Sequence, residues 1–304
     1  MKLILVSVAL SALAGACGDG GSDAADAAPE LDARPIERTR RAYVLTRTLL
    51  PTNQDQVADA SFDYPGTDFP VNKMGGLTTV LLDLVPELDV QGNVDGGIQS
   101  GEVLGLWVIE SGPLDEDDPA PTAYFAQAVD ADADPTNTLT GTGQVRLAPG
   151  EQLVPIITDA TLSGGMLVGH GDADTQYSFR LKLLPDTDPY DTWGYYGHLR
   201  VAITEAGFTG QASSAATPED LHTYVYPGIA DVLTRAIAQD VARATDIRGI
   251  FDDNSDDTVT VQELIDNDTM ASLTQPDVDL DENGVKDHVS QGSTIEAVAV
   301  ELVE

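Results

Sequence analysis

The segment Asp252-Asp253-Asn254-Ser255-Asp256-Asp257-Thr258-Val259-Thr260-Val261-Gln262-Glu263 puts oxygen-bearing side chains at alternate places. Counted from Asp252, positions 1, 3 and 5 are Asp252, Asn254 and Asp256, position 9 is Thr260 and position 12 is Glu263. Thr258 offers its backbone carbonyl at position 7. In a tight loop alternate residues face inward, so this spacing gathers hard oxygen donors around one point, and a long carboxylate from the next helix closes the shell. That is chemistry for a divalent cation. Sliding the register by one puts Leu264 at position 12, so a single alignment works.

The pattern closely resembles an EF-hand calcium loop, with Val259 as the apolar residue at position 8 and Phe251 closing the entering helix. Position 6 departs from it: glycine is wanted there for a positive φ, and the chain has Asp257. Asp reaches the left-handed region at roughly 1 kcal/mol over Gly, which predicts weakened affinity rather than loss. A second loop runs from Asp277 to Asp287. Counted from Asp279, ligand types stand at 1, 3, 5 and 9 (Asp279, Asp281, Asn283, Asp287), and Gly284 takes position 6. Position 12 is Ser290, a poor replacement for glutamate. The two loop starts lie 27 residues apart, too close for a full second helix-loop-helix, so a truncated calcium loop leading into a terminal strand over Thr294–Val303 is expected.

These loops, with Val289-Ser290-Gln291-Gly292 after them, resemble the C-terminal region of uncharacterised secreted bacterial lipoproteins that carry an EF-hand; the resemblance covers residues 215–304. It implies calcium (Ca2+) binding at the cell surface and no catalytic activity. Such proteins carry a further Asp-rich loop near an N-terminal helix. Asp63-Tyr64-Pro65-Gly66-Thr67-Asp68 stands at the comparable place but lacks most alternating ligands and is not counted.

The N-terminus supports the same address. Met1-Lys2 and the apolar run Leu3–Leu13 have the shape of an export signal, too short to span a bilayer. Leu13-Ala14-Gly15-Ala16-Cys17-Gly18 resembles a bacterial lipoprotein signal, with Ala14 where that pattern prefers Leu. The resemblance implies lipidation at Cys17, a membrane contact through that anchor, and a cell-envelope location at the outer membrane of a Gram-negative bacterium. Residues 17–36 are Gly/Ala/Asp-rich and cannot offset ordering entropy by burial, so an acidic tether follows the signal of 1–16.

Elements must position the loops. Residues 37–214 read as a strand-rich body and 215–304 as helices, loops and a terminal strand. Leu77, Val80, Leu81 and Leu84 form an amphipathic helical stripe that stops at Pro86. Tyr177, Phe179, Leu181 and Leu183 alternate with polar residues, as do Leu199, Val201 and Ile203. Thr217-Pro218-Glu219-Asp220 is a helix start, Pro227-Gly228 a break, and Val261–Leu273 an exiting helix. The expected fold is α+β: an antiparallel sandwich or half-open barrel, followed by a helical EF-hand-like unit and a terminal strand.

Composition limits the rest. Fifteen Lys+Arg against 51 Asp+Glu give a formal charge of −36, which excludes nucleic acid as a partner. One cysteine excludes a disulfide framework and a thiolate zinc cluster. Asp130, Asp132 and Asp134 alternate without a glycine or closing Glu and read as a solvated loop. The four histidines show no metal-site spacing, and no nucleophile elbow, phosphate loop or His-Glu-x-x-His occurs. The leading expectation is therefore a non-enzymatic calcium-binding envelope lipoprotein. The alternative is a calcium-dependent glycan- or polymer-binding module using Trp193-Gly194-Tyr195-Tyr196-Gly197-His198 as an exposed aromatic turn; an envelope protein or glycan partner is left open.

Overall fold

Alternating apolar side chains build the body. In the computed structural model, which describes residues 36–132 and 134–303, eleven strands join one sheet. The signal segment, Cys17 and the tether through residue 35 lie outside the described residues. The strands are β1 (Thr39–Leu49), β2 (Leu104–Ser111), β3 (Thr122–Asp130), β4 (Gln144–Leu147), β5 (Val154–Ile157) and β6 (Asp159–Ser163). They continue with β7 (Met166–His170), β8 (Gln176–Leu181), β9 (Tyr190–Thr204), β10 (Gly207–Ala216) and β11 (Val289–Leu302).

Five of them close a barrel: β1 pairs β2, β2 pairs β3, β3 pairs β4, β4 pairs β11, and β11 returns to β1. The closing contact is the short parallel one, Glu301↔Gln144 and Leu302↔Val145. The α+β class agrees with expectation, but the ring is closed rather than half-open, because the last strand pairs both β1 and β4. Val44, Leu104, Leu106, Val108, Ala128 and Val145 fill its interior. Side chains one residue out of phase (Tyr43, Trp107, Ile109, Phe125) point the other way. They form a second core with Leu162, Leu167, Leu199, Val201, Ile203 and Phe208 of the extended sheet.

The helices are α1 (Gln54–Asp59), α2 (Lys73–Leu84), α3 (Val90–Gln99), α4 (Pro135–Thr138) and α5 (Pro218–Asp220), then α6 (Tyr226–Ala238), α7 (Ala244–Phe251), α8 (Val261–Asp266) and α9 (Asp268–Leu273). Leu77, Leu84, Ile229, Leu233, Ile247, Phe251 and Leu264 pack them into a third core. None of the helices among the described residues is long and apolar enough to cross a membrane.

Three local expectations are corrected. Pro227 does not break a helix: Thr217 caps α5, a π turn over Leu221–Val225 follows, and Pro227 falls in the first turn of α6, where no proline N–H is needed. Val261–Leu273 is two six-residue helices, because Asn267 leaves the helical region (ψ 119°) and caps α9 by accepting from the Met270 N–H. The Trp193–His198 segment is no turn. It lies inside β9 with a bulge at Tyr196 (φ 51°), where the register against β10 shifts.

Candidate metal centre

Helix α7 ends because Asp252 leaves helical geometry, and α8 begins because Thr260 and Glu263 form a capping box; the loop is what remains between them. Its rim is pinned by apolar burial of Phe251, Val259 and Leu264. Val259 is also tied to α6: its N–H donates to the Thr234 hydroxyl at 2.9 Å, and that hydroxyl lies 3.3 Å from the Val259 carbonyl.

Inside the loop the side-chain acceptors take the loop's own backbone N–H groups. Asp252, only 4 % exposed, accepts from the N–H of Asp256 (3.1 Å) and of Asp257 (2.9 Å). Asn254 accepts from the Asp256 N–H at 2.9 Å, and Asp256 accepts from the Thr258 N–H at 2.9 Å. The chain turns twice through the left-handed region, at Ser255 (φ 59°) and Asp257 (φ 67°). Glu263 spans the loop: one carboxylate oxygen takes the Thr260 N–H at 2.9 Å and the other the Asn254 N–H at 3.4 Å. Partial burial raises the Glu263 pKa, but the Thr260 and Asn254 donors outweigh it and hold the carboxyl below the ordinary glutamate value. The Asp257 carboxylate faces outward to the Arg248 guanidinium, Nε–Oδ1 2.6 Å.

The second loop repeats the first. Asp279, 5 % exposed, accepts from the N–H of Asn283 (3.1 Å) and Gly284 (2.7 Å). Asp281 accepts from the Asn283 N–H at 3.2 Å, and Asn283 from the Val285 N–H at 2.8 Å. The left-handed residues again fall at positions 4 and 6, Glu282 (φ 55°) and Gly284 (φ 88°). The repeat then stops. Asp287, at position 9, meets the His288 ring at 2.6 Å. Ser290, at position 12, is buried in β11, donating to Asp277 (2.7 Å) and accepting from the Lys73 N–H (2.8 Å). The discounted segment Asp63–Asp68 packs here: a Cβ on Gly66 would lie 2.8 Å from the Asp279 Cβ.

Of the expected ligands, Asp252, Asn254, Asp256, Thr258 and Glu263 are therefore tied by hydrogen bonds within one loop, Asp279, Asp281 and Asn283 within the other, and Asp287 bonds to His288 instead. The donor set fits a hard cation, since every candidate atom is oxygen. Among the described residues, no three His, Cys, Asp or Glu side chains are drawn together closely enough to hold a metal ion. In this arrangement the carboxylates serve backbone N–H groups. Thr234, Arg248 and Lys73 were not legible as site residues, because each acts through tertiary contact alone.

The weaker acidic run behaves as a turn series: Asp130 accepts from the Asp132 N–H (2.8 Å), Asp132 from Asp134 (3.1 Å) and Asp134 from Thr136 (3.2 Å). In the aromatic segment of β9, Trp193 packs on Tyr224 (centroids 5.8 Å), and His198 is buried against Phe62 and Tyr64. No protein-family model matches the chain, nor does a curated protein or a solved structure.

Proposed function

We propose that the chain is a non-enzymatic calcium-binding protein of the cell envelope, carried there by a lipid on Cys17, in which calcium structures the C-terminal region. The unit Ala244–Asp266 is read as EF-hand-like, with the loop from Asp279 as a second, incomplete site. One observation carries the reading: two loops of different sequence share the same side-chain acceptors of backbone N–H groups at positions 1, 3 and 5 and left-handed residues at 4 and 6. Bound calcium would supply positive charge to carboxylates that otherwise repel one another across the loop. Asp252, Asn254, Asp256, the Thr258 carbonyl and Glu263 are the residues that would hold it. Glu263 is the closing ligand; its carboxylate already reaches both ends of the loop.

A ligand bound only by the folded state raises stability by mass action. Thermal unfolding of the full chain in chelator, in millimolar calcium and in equal magnesium tests the reading. Calcium is expected to raise Tm by several degrees and magnesium to do little. Equal shifts with both ions reduce the effect to charge screening and refute the site.

A further inference from the structure

Between the helical layer and the second, strand-built core lies a cavity of about 220 Å³. Leu77 and Leu81 of α2 and Val94 of α3 wall one side; Phe125, Tyr177 and Ile295 from three strands wall the other. Protein interiors contain few voids larger than a water molecule, and an apolar hole of about 150 Å³ already takes a benzene-sized guest. Trp107 lies in the wall, 4 % exposed, and its indole N–H finds no acceptor among the described protein atoms. Buried Trp N–H groups usually have one, so this donor is left in the cavity wall.

One part of the lining has a different character. Arg180 and Lys182 both border the cavity, in a chain with 15 basic residues against 51 acidic ones. Arg180 pairs with Asp191 (2.8 Å) and Lys182 with Glu102. Both carboxylates are solvent-exposed, and pairs of that kind are weak enough to exchange for another anion. An apolar cavity with two cations in its lining is complementary to an alkyl chain bearing an anionic head.

We propose that this cavity binds one fatty-acyl chain, with the hydrocarbon between the helices and the sheet and the acidic head at Arg180 and Lys182. The chain could be a free fatty acid or the acyl chain of an anionic lysophospholipid. The proposal is independent of the calcium reading, and its test is run in chelator so that the two fail separately.

The full chain, stripped of co-purifying lipid on a hydrophobic resin, is titrated calorimetrically with dodecanoate. Binding of one dodecanoate per chain is expected, with a change in tryptophan emission that Trp107→Phe removes. Dodecanol, and the Arg180→Gln/Lys182→Gln double variant with dodecanoate, should each bind at least tenfold more weakly. Ala212 lines the cavity from β10, so Ala212→Phe should abolish binding while leaving the circular dichroism unchanged. Should that variant fail to fold, Ala212→Leu should shorten the longest fatty acid accepted. A second arm offers lysophosphatidylglycerol, with native mass spectrometry showing which amphiphile is retained: dodecanoate alone assigns a free fatty acid, and lysophosphatidylglycerol assigns a membrane-derived chain. No retention of either, or dodecanoate binding undiminished in a folded Ala212→Phe variant, overturns the proposal.

Discussion

Asp252 and Asp279 hold their loops in the same way. Each is nearly buried, and each carboxylate takes the backbone N–H groups of the residues four and five places further on. A carboxylate so placed organises the backbone by itself, and it cannot be removed without orphaning two donors. Asp252→Ala and Asp279→Ala are each expected to cost about 1–3 kcal/mol even in chelator, the range for donors left unsatisfied. Urea unfolding measures it; a change within about 0.5 kcal/mol, as at an ordinary surface site, would refute the clamp.

Glu263 adds a pH dependence. Burial raises its pKa, but the Thr260 and Asn254 donors more than offset this, so the folded value lies below the unfolded one. Its contribution is therefore present above the ordinary glutamate pKa and lost as pH falls through the lower folded value. Comparing the chain with Glu263→Gln in chelator, the stability gap should be constant at neutral pH and shrink as acid titrates that carboxyl. A gap that widens toward acid would reverse the assigned sign.

Asp257 separates backbone strain from charge. Its φ of 67° costs about 1 kcal/mol relative to glycine, while its exposed pair with Arg248 is worth about 0–1 kcal/mol. Both Asp257→Gly and Asp257→Ala delete the pair; only the former relieves the strain. Asp257→Gly should accordingly exceed Asp257→Ala in stability by about 1 kcal/mol. Equal stabilities would mean the turn is not held left-handed in solution.

His198 is expected to stay neutral through the physiological range. Burial, reinforced by His170 and Arg200, lowers its pKa to about 3. The unfolded chain then takes up a proton near pH 6.5 that the folded chain refuses, so stability falls as pH drops from there toward the folded value. Its ring resonances in an NMR titration should not move between pH 8 and 5; a midpoint near 6.5 would place the ring in water.

Much of this was legible in short-range pattern. The alternation of Leu199, Val201 and Ile203 marks β9, the stripe from Leu77 to Leu84 marks α2, and oxygen spacing marks both loops, because local geometry dictates residue type at each place. Helix α3 (Val90–Gln99) was not legible: its three glycines argue against helix, yet a Cβ at Gly97 would stand 2.7 Å from the Lys182 Cβ, a constraint visible only in the packed structure. Barrel closure rests on two residue pairs between β4 and β11, more than 150 positions apart, which no local signal announces. The aromatic run at Trp193–His198 misleads because its glycines serve close packing inside β9: a Cβ on Gly194 would lie 2.4 Å from the Ser214 hydroxyl.

Calorimetric titration of the full chain with calcium, beside its Glu263→Gln variant, tests the central claim most directly. Saturable binding is expected, which Glu263→Gln weakens by at least tenfold and magnesium at equal concentration does not reproduce. Absence of saturable heat in a folded protein, or an isotherm identical in the variant, would contradict it.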